Sequence, residues 1–248
     1  MKRISGNVFK VLCTSIIAVA IVAGFSSRAG SKDSGWTPKK GETIVYNMKM
    51  MHITLATQTI KVEEKKKIAG TDCWNISSST KSVPLAKRVM EIDDRTETCI
   101  DLKSLSPVYY TSKVRETGWK SDTKMAFKKG KIVIDEVRGE NLDEKRHTEV
   151  KASAGVLDDV SIIFNLRGRV PKMGDSISVK IIADNEVNNA KITVLRKEKL
   201  DTKIGERDAL VVKSTFKNAM FWIEDSPDRI PLKFEVDTKA GRASGTIK

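Results

Sequence analysis

Hydrophobic and polar residues alternate in short runs along most of the chain. The clearest run is Pro231–Thr238, in which Leu232, Phe234 and Val236 are separated by charged residues. A period of two is typical of a strand with one buried and one solvated face. Because similar runs recur from residue 43 onward and are broken by turn residues, the pattern predicts a mostly β protein with many short strands.

One segment departs from this pattern. Residues 158–167 carry apolar side chains at helical spacing, with Asp158 or Asp159 as the N-cap and Gly168 as the end of the helix. With one short helix and no β-α-β alternation, the sequence favours a single antiparallel sheet curled into a barrel or half-barrel. We expect the helix to plug or cover this sheet, and we predict a single β-rich domain over residues 43–248.

The N-terminus has the pattern of an export signal. Three basic side chains within the first ten residues precede an apolar stretch over residues 11–25 and then a run of small residues. This length suits a signal peptide, because a spanning helix needs about 20 apolar residues. We predict a signal peptide over residues 1–29, a polar leader over residues 30–42, and export to the periplasm with no transmembrane anchor after cleavage. An uncleaved anchor is the alternative.

The chain is strongly basic. Its formal net charge is +13, of which residues 1–29 contribute four charges, so the predicted mature chain carries +9. The lysines are interleaved with acids, as in residues 63–67 and 196–199, and most of them fit solvated strand edges, where lysine disfavours edge-to-edge pairing. A basic excess often indicates nucleic acid inside a cell. Outside the cytoplasm the available polyanions are lipid headgroups and envelope polymers, so we predict no nucleic-acid partner.

Cys73 and Cys99 are the two cysteines that remain after signal cleavage. Both lie in strand-like segments, and an even number of cysteines in an exported protein indicates a disulfide. A bridge between neighbouring strands would close a loop of about 26 residues and contribute on the order of 3 kcal/mol. The alternative is a pair of buried free thiols.

A dense group of charges lies between two apolar runs at Trp222–Pro231. Pro227 fixes φ in the centre of this segment, and an aspartate such as Asp225 bonds readily to the backbone of a turn. We interpret Asp225, Pro227, Asp228 and Arg229 as a structural turn between two strands. A two-carboxylate acid–base site is the alternative, whereas the spacing of a calcium loop is absent.

No catalytic or cofactor motif is recognisable elsewhere in the chain. It has no G-x-S-x-G, no phosphate loop and no dinucleotide G-x-G-x-x-G. Its two histidines, His52 and His147, are far apart in sequence, so a zinc site is not predicted. We therefore expect a protein that is not an enzyme and that has neither a metal nor a cofactor.

Three blocks of the sequence resemble an exported bacterial family. They are residues 41–50, 157–179 and 221–247, and the last block is the most specific. The family is known as domain of unknown function 3108, and the resemblance extends over most of residues 41–247. It implies a β-rich periplasmic or cell-envelope protein.

Within this resemblance, four residues of the last block match recurrent positions of the family: Trp222, Asp225, Arg229 and Pro231. The match agrees with a structured hairpin in which Asp225 and Arg229 hold one another across the turn. The family carries no assigned catalysis, so the resemblance transfers no catalytic residue.

These features favour a non-enzymatic envelope protein that binds a lipid or another amphiphile on the concave face of its curved sheet. The predicted lining residues are large side chains of the strands and the helix: Tyr46, Met48, Met50, Tyr109, Phe164 and Trp222. A second hypothesis is an interaction module that contacts an envelope protein or an anionic polymer through lysine-rich strand edges. A third is a hydrolase with paired carboxylates.

Overall fold

The computed structural model describes residues 35–238 and 240–248. The predicted signal peptide lies outside the described residues, as does the first part of the predicted leader. The described residues form two α-helices, α1 (Pro84–Lys87) and α2 (Ser161–Arg169), and a 3-10 turn at Phe216–Asn218. They also form fifteen strands: β1 (Thr43–Met50), β2 (Ile53–Ile68), β3 (Thr71–Ser82), β4 (Asp93–Asp101), β5 (Pro107–Glu116), β6 (Trp119–Lys128), β7 (Lys131–Arg138), β8 (Glu144–Lys151), β9 (Val156–Leu157), β10 (Ser176–Ala183), β11 (Glu186–Thr202), β12 (Gly205–Ser214), β13 (Met220–Glu224), β14 (Pro231–Thr238) and β15 (Gly241–Ile247).

The strands form one sheet in the order β8-β7-β6-β5-β4-β3-β2-β1-β15-β14-β13-β12-β11-β10-β9. Strands that are adjacent in the sheet are consecutive along the chain, with one exception. Strands β1 and β15, the first and last of the chain, pair with each other in the middle of the sheet. Every pair among the described strands is antiparallel apart from β9 with β10. Strands β8 and β9 stand at the two ends of this order and are not paired with each other, so the sheet is not closed. The predicted mostly β fold with one antiparallel sheet is confirmed.

The sheet curls so that strands far apart in its order pack together. Ile132 of β7 lies in the same buried cluster as Ile182 of β10. Ile100 of β4 shares a larger cluster with Val211 of β12. Fully burying such a side chain contributes about 1.5–3 kcal/mol, so these clusters stabilise the curled form. The result is an open, barrel-like sheet.

Alternation along β1 shows how the sequence creates the concave face. Ile44, Tyr46, Met48 and Met50 are buried, whereas the residues between them are half-buried or exposed. Successive side chains of a strand point to opposite faces, so the buried set lies on the concave face.

Helix α2 is buried inside the curled sheet. Phe164 packs in the cluster that contains residues of β1 to β4, and Ile162 and Leu166 pack in a second cluster with residues of β10 to β12. This is the helix that the sequence predicts, and it plugs the sheet. Helix α1 was not predicted, because four residues are too few to show a helical period.

The ends of α2 differ from the prediction. The helix begins at Ser161, and its N-cap position is Val160, not the predicted Asp158 or Asp159. Asp158 still makes bonds of the capping type just ahead of the helix, because its Oδ1 accepts the backbone N–H groups of Val160 and Ser161 at 2.9 and 2.7 Å. Gly168 lies inside the helix and does not end it. A Cβ at Gly168 would lie 2.6 Å from Leu105 Cδ1, so glycine permits close packing at this point.

The two ends of the barrel differ. At one end, which we call the helix end, Arg167 of α2 bonds to the connection between β13 and β14. The other end, which we call the distal end, carries the β1–β2, β3–β4 and β10–β11 connections. Among the described residues, neither α-helix is long and apolar enough to cross a membrane.

Candidate functional site

A cavity of about 530 Å³ lies between the concave face of the sheet and the first turn of α2. Cavities that take small molecules span roughly 300–1,000 Å³. Val160 and Ile162 line the cavity beside α2, and Asp184 and Asn185 line it in the β10–β11 turn. The cavity therefore extends from the helix toward the distal end.

Part of the cavity wall is a row of polar side chains that crosses six neighbouring strands. Each member stands opposite the next in the register of β3 to β8, and all of them line the cavity. Directly opposite residues share one face of a sheet, so the row is a continuous polar stripe. This polar row consists of Ser78, Thr96, Ser112, Thr123, Glu136 and Arg146.

Long hydrogen bonds connect members of the polar row. Thr96 Oγ1 donates to Ser112 Oγ at 3.5 Å. Ser121, which also lines the cavity, lies with its Oγ 3.3 Å from Thr123 Oγ1 and 3.3 Å from Glu136 Oε1. Bonds between oxygens are usually about 2.7–2.8 Å, so these contacts are weak. Thr96 and Ser112 are also hydrogen-bonded to the Tyr110 side chain, and because a hydroxyl oxygen has two lone pairs the row can still accept a donor from a ligand.

The part of the wall formed by β1, β13 and β14 is apolar and aromatic. Tyr46, Met48, Phe221 and Phe234 line it. The rings of Tyr46 and Phe234 meet edge-on with centroids 5.4 Å apart, and the Tyr46 hydroxyl donates to the carbonyl of Pro231 at 2.7 Å. Burial raises the pKa of Tyr46, so its phenol stays neutral. This wall suits an apolar group.

Two adjacent carboxylates, Asp158 and Asp159, lie where α2 meets the cavity. Asp158 Oδ2 accepts the hydroxyl of Thr98 at 2.6 Å, and its Oδ1 accepts the N–H groups of Val160 and Ser161 at the start of α2. Asp159 is hydrogen-bonded to the Tyr110 side chain, but its Oδ1 is buried and has no partner in the described part of the chain. Burial, followed by the charge of Asp158, raises the pKa of Asp159 to about 7.

The structure brings two of the six predicted lining residues to the cavity. Tyr46 and Met48 lie in its wall. Met50, further along the same strand, packs instead in a small apolar cluster with Ala219 and Val236.

Tyr109 lies on the other face of β5. It stands opposite Cys99 in the register, whereas the next residue, Tyr110, lines the cavity. A shift of one residue exchanges the two faces of a strand, and the pair of tyrosines gives no local indication of which one points inward.

Phe164 and Trp222 have structural contacts. The ring of Phe164 packs in the core with its centroid 6.2 Å from that of Trp36. The indole of Trp222 donates to Glu198, and Lys233 Nζ lies over its ring at 4.3 Å from the centroid. Neither residue is part of the cavity wall.

The charged segment Trp222–Pro231 comprises the end of β13, the turn over residues 225–230 and the first residue of β14, and the two strands pair antiparallel. Asp225 forms an ion pair with Lys197, and Asp228 forms one with Lys39. The expected contact between Asp225 and Arg229 is therefore not formed, because Asp225 pairs with Lys197 instead.

Arg229 connects this turn to helix α2. Its Nη1 donates to the backbone carbonyl of Arg167 at 3.0 Å. Arg167 in turn donates Nε and Nη2 to the carbonyl of Asp228 at 3.1 and 2.9 Å. The two arginines thus tie the turn to the C-terminal part of α2. Among residues 35–238 and 240–248, no group of three or more His, Cys, Asp or Glu side chains is arranged to hold a metal ion.

Comparison with known proteins places the chain in a family. The sequence model of the family described as "Protein of unknown function (DUF3108)" matches residues 45–248. The chain belongs to this family. The match confirms the resemblance that the three sequence blocks indicate. A comparison with curated protein sequences gave no match.

A solved structure is similar to this DUF3108 protein in fold. It is the crystal structure of a β-barrel-like protein of domain of unknown function DUF1849 from Brucella abortus. The TM-score is 0.57, and the similarity covers 86% of this chain and 98% of that chain at 9% sequence identity. At this identity the similarity shows the fold alone.

The predicted disulfide of this DUF3108 protein is confirmed. Cys73 of β3 and Cys99 of β4 are bonded, with their Cα atoms 5.5 Å apart. In the register Cys73 stands opposite Asp101 and Cys99 opposite Asn75, so the bridge joins the two strands diagonally.

The sequence did not predict the polar row, Tyr110 or Asp159 as lining residues, and Asp159 was predicted only as a possible N-cap of the helix. A signal was available, because hydroxyl-bearing residues recur at a period of two on several strands. Thr96 and Thr98 on β4, and Ser121 and Thr123 on β6, are examples. That period places each pair on one face, but it does not indicate that the face is concave.

Proposed function

We propose that this DUF3108 protein binds one amphiphilic small molecule in the cavity of its open barrel. The two-sided cavity wall carries the proposal: the polar row lies on β3 to β8, and the apolar wall lies on β1, β13 and β14. A molecule with an apolar tail and a polar head matches both parts at once, whereas a purely polar or purely apolar ligand leaves one part unmatched.

Exposed apolar side chains at the distal end also support the proposal that the cavity binds an amphiphile. Met51, Ile53, Leu85 and Val89 are exposed by 64–77%. Met51 lies in the β1–β2 connection, Ile53 begins β2, and Leu85 and Val89 lie in the β3–β4 connection, all at this end. The cavity extends toward the same end, because Asp184 and Asn185 line it. We place the entrance of the cavity at this end, where exposed apolar side chains would give an arriving tail a surface to contact before it is buried.

We also propose that the protein is a binder in the periplasm and not an enzyme. The bonds that Asp158 accepts and the basic partners of Asp225 and Asp228 support a structural use of these carboxylates. The bond between Cys73 and Cys99, together with the N-terminal signal pattern, supports an oxidising compartment.

The first test is to identify what the protein carries and whether the cavity holds it. The full chain is expressed with its own N-terminus, purified from the periplasm and examined by native mass spectrometry with organic extraction. The uncharged apolar dye N-phenyl-1-naphthylamine serves as the probe, because its fluorescence rises in an apolar site. The proposal predicts a bound amphiphile or saturable dye binding at one site.

A matched pair of variants locates the binding. Ser112→Trp fills the centre of the polar row, whereas Thr111→Trp adds the same ring on the other face of β5. We expect the first variant to lose dye binding at least tenfold and the second to retain it. Equal loss in both variants, or no amphiphile and no saturable dye binding in the unmodified protein, would overturn the proposal.

A further inference from the structure

The charge of the cavity wall is opposite in sign to that of the chain. The chain as a whole carries +13, yet the wall contains two arginines and neither lysine nor histidine. Its acidic residues are six: Asp94, Glu136, Asp158, Asp159, Asp184 and Glu235. The carboxylate of Glu235 is engaged by Lys233 and Arg242, and without it acids still outnumber bases.

The two arginines of the wall are occupied by acidic neighbours. Arg138 Nε lies 3.1 Å from Glu144 Oε2, and its Nη1 lies 3.7 Å from Glu136. Arg146 Nε donates to Glu144 Oε1 at 2.7 Å. An anionic head would have to compete with these carboxylates for the guanidinium groups, so the wall does not favour an anion.

Among the described residues, Asp159 provides a buried acceptor that has no basic neighbour, whereas the other wall carboxylate with an unbonded buried oxygen, Glu136, lies 3.7 Å from Arg138. The Oδ1 atom of Asp159 is buried and unpartnered in the described part of the chain, in contrast to Asp158, both of whose oxygens are bonded. A buried carboxylate oxygen without a donor costs free energy, and a ligand that supplies the donor recovers it. The Asp159 carboxyl as a whole is hydrogen-bonded by the Tyr110 side chain and by the backbone N–H groups of Asp159 and Val160, and the charged group that faces it is the Asp158 carboxylate. None of these groups is cationic.

We infer that the cavity selects an amphiphile whose head carries a protonated amino group, with Asp159 as the acceptor. An ammonium group has three donors and no acceptor, so it matches Asp159 Oδ1 and the hydroxyl groups of the polar row together. The attraction between opposite charges is stronger in a cavity than in water, because the effective dielectric constant is lower. The inference rests on the proposed function and adds the chemical class of the ligand.

The test uses three probes that share a twelve-carbon chain: dodecylammonium, dodecanol and laurate. Each displaces the uncharged dye from the unmodified protein at pH 8, below its micelle concentration. We expect dodecylammonium to bind most tightly and laurate most weakly, with about tenfold or more between them, as is common for a partly buried charge pair.

The variant Asp159→Asn tests whether Asp159 causes the preference for dodecylammonium. It keeps the size of the side chain and removes the charge, so we expect it to weaken dodecylammonium about tenfold and dodecanol less than about twofold. Asp175→Asn is the matched control, because Asp175 is exposed in the turn before β10 and lies outside the cavity wall. It is expected to bind all three probes as the unmodified protein does.

The possible outcomes separate the two proposals. If laurate binds as tightly as dodecylammonium while dodecanol displaces the dye, the inference is overturned and the proposed function stands. If Asp159→Asn prefers dodecylammonium over dodecanol by the same factor as Asp175→Asn does, the role of Asp159 is overturned. If the dye itself does not bind, the proposed function fails and the inference fails with it.

Discussion

The guanidinium group of Arg167 lies over the indole ring of Trp36, 4.2 Å from its centroid. Arg167 is 1% exposed inside the barrel and forms an ion pair with Glu42 at 2.6 Å. Trp36 and Glu42 belong to the segment that precedes β1. The buried helix is therefore tied both to this segment and to the β13–β14 turn, and these contacts hold the helix at one end of the cavity.

Replacing Arg167 should destabilise the protein. Arg167→Met keeps much of the side-chain volume but leaves Glu42 and the carbonyl of Asp228 without their donors. Removing one partner of a buried pair costs about 3–5 kcal/mol, to be measured by urea unfolding. The control is Lys199→Ala, which removes an exposed, solvent-screened pair with Glu206 and should leave the free energy of unfolding nearly unchanged. Similar values for both variants would show that Arg167 does not hold the helix.

The disulfide should contribute measurably to stability. It closes a loop with a sequence separation of 26 residues. For a loop of this length the chain-entropy model gives about 3.5 kcal/mol. We expect the double variant Cys73→Ala, Cys99→Ala to lose roughly this amount of unfolding free energy. Adding a reductant should lower the unfolding free energy of the unmodified protein toward that of the variant and leave the variant unchanged. If the reductant lowered the unfolding free energy of both proteins equally, the stabilisation could not be assigned to the disulfide.

Gly245 should not tolerate a side chain. It stands opposite both Met48 of β1 and Phe234 of β14, and a Cβ there would lie 2.3 Å from Phe234 Cε1. Gly245→Ala should push the Phe234 ring toward the cavity, destabilise the protein by about 1–3 kcal/mol and weaken dye binding. Ser244→Thr, which adds a methyl group on the other face of β15, serves as the control. Unchanged unfolding and unchanged dye affinity in Gly245→Ala would show that the ring relaxes elsewhere.

Asp159 should make stability fall as pH rises. Its pKa is about 7 in the folded protein, because of burial and of Asp158, and about 3.9 in an unfolded chain. Between these values the folded state binds the proton that the unfolded state has lost, so stability decreases from pH 4 to 7 and levels off above pH 7. Burial raises the pKa of Asp158 as well, which acts in the same direction.

Urea unfolding of the ligand-free protein at pH 5, 6, 7 and 8 tests this dependence. Exposed acids such as Glu144 and Glu149 have lowered pKa values and titrate below this range. We expect Asp159→Asn to have a shallower slope and a clear gain in stability at pH 8, while Asp175→Asn keeps the slope of the unmodified protein. An identical slope in all three proteins would mean that Asp159 is ionised throughout.

Several features followed from the sequence because their causes are local. Alternation of apolar and charged residues at Leu232 to Val236 is enough to predict a strand with one buried face. The spacing of apolar residues before Gly168 is enough to predict a helix, and an even number of cysteines in strand-like segments indicates the bond between Cys73 and Cys99. Each of these signals acts within a few residues or through a general chemical preference.

The tertiary structure alone decided which side chains meet in the cavity. Whether Tyr109 or Tyr110 faces inward depends on the register of β4 and β5, which shifts between Cys99 and Ile100. The position of Asp159 beside Tyr110 and the contact of Arg167 with Trp36 depend on packing between segments far apart in the chain. Such contacts follow from the way a fifteen-strand sheet curls around its helix, and no local pattern encodes that curl.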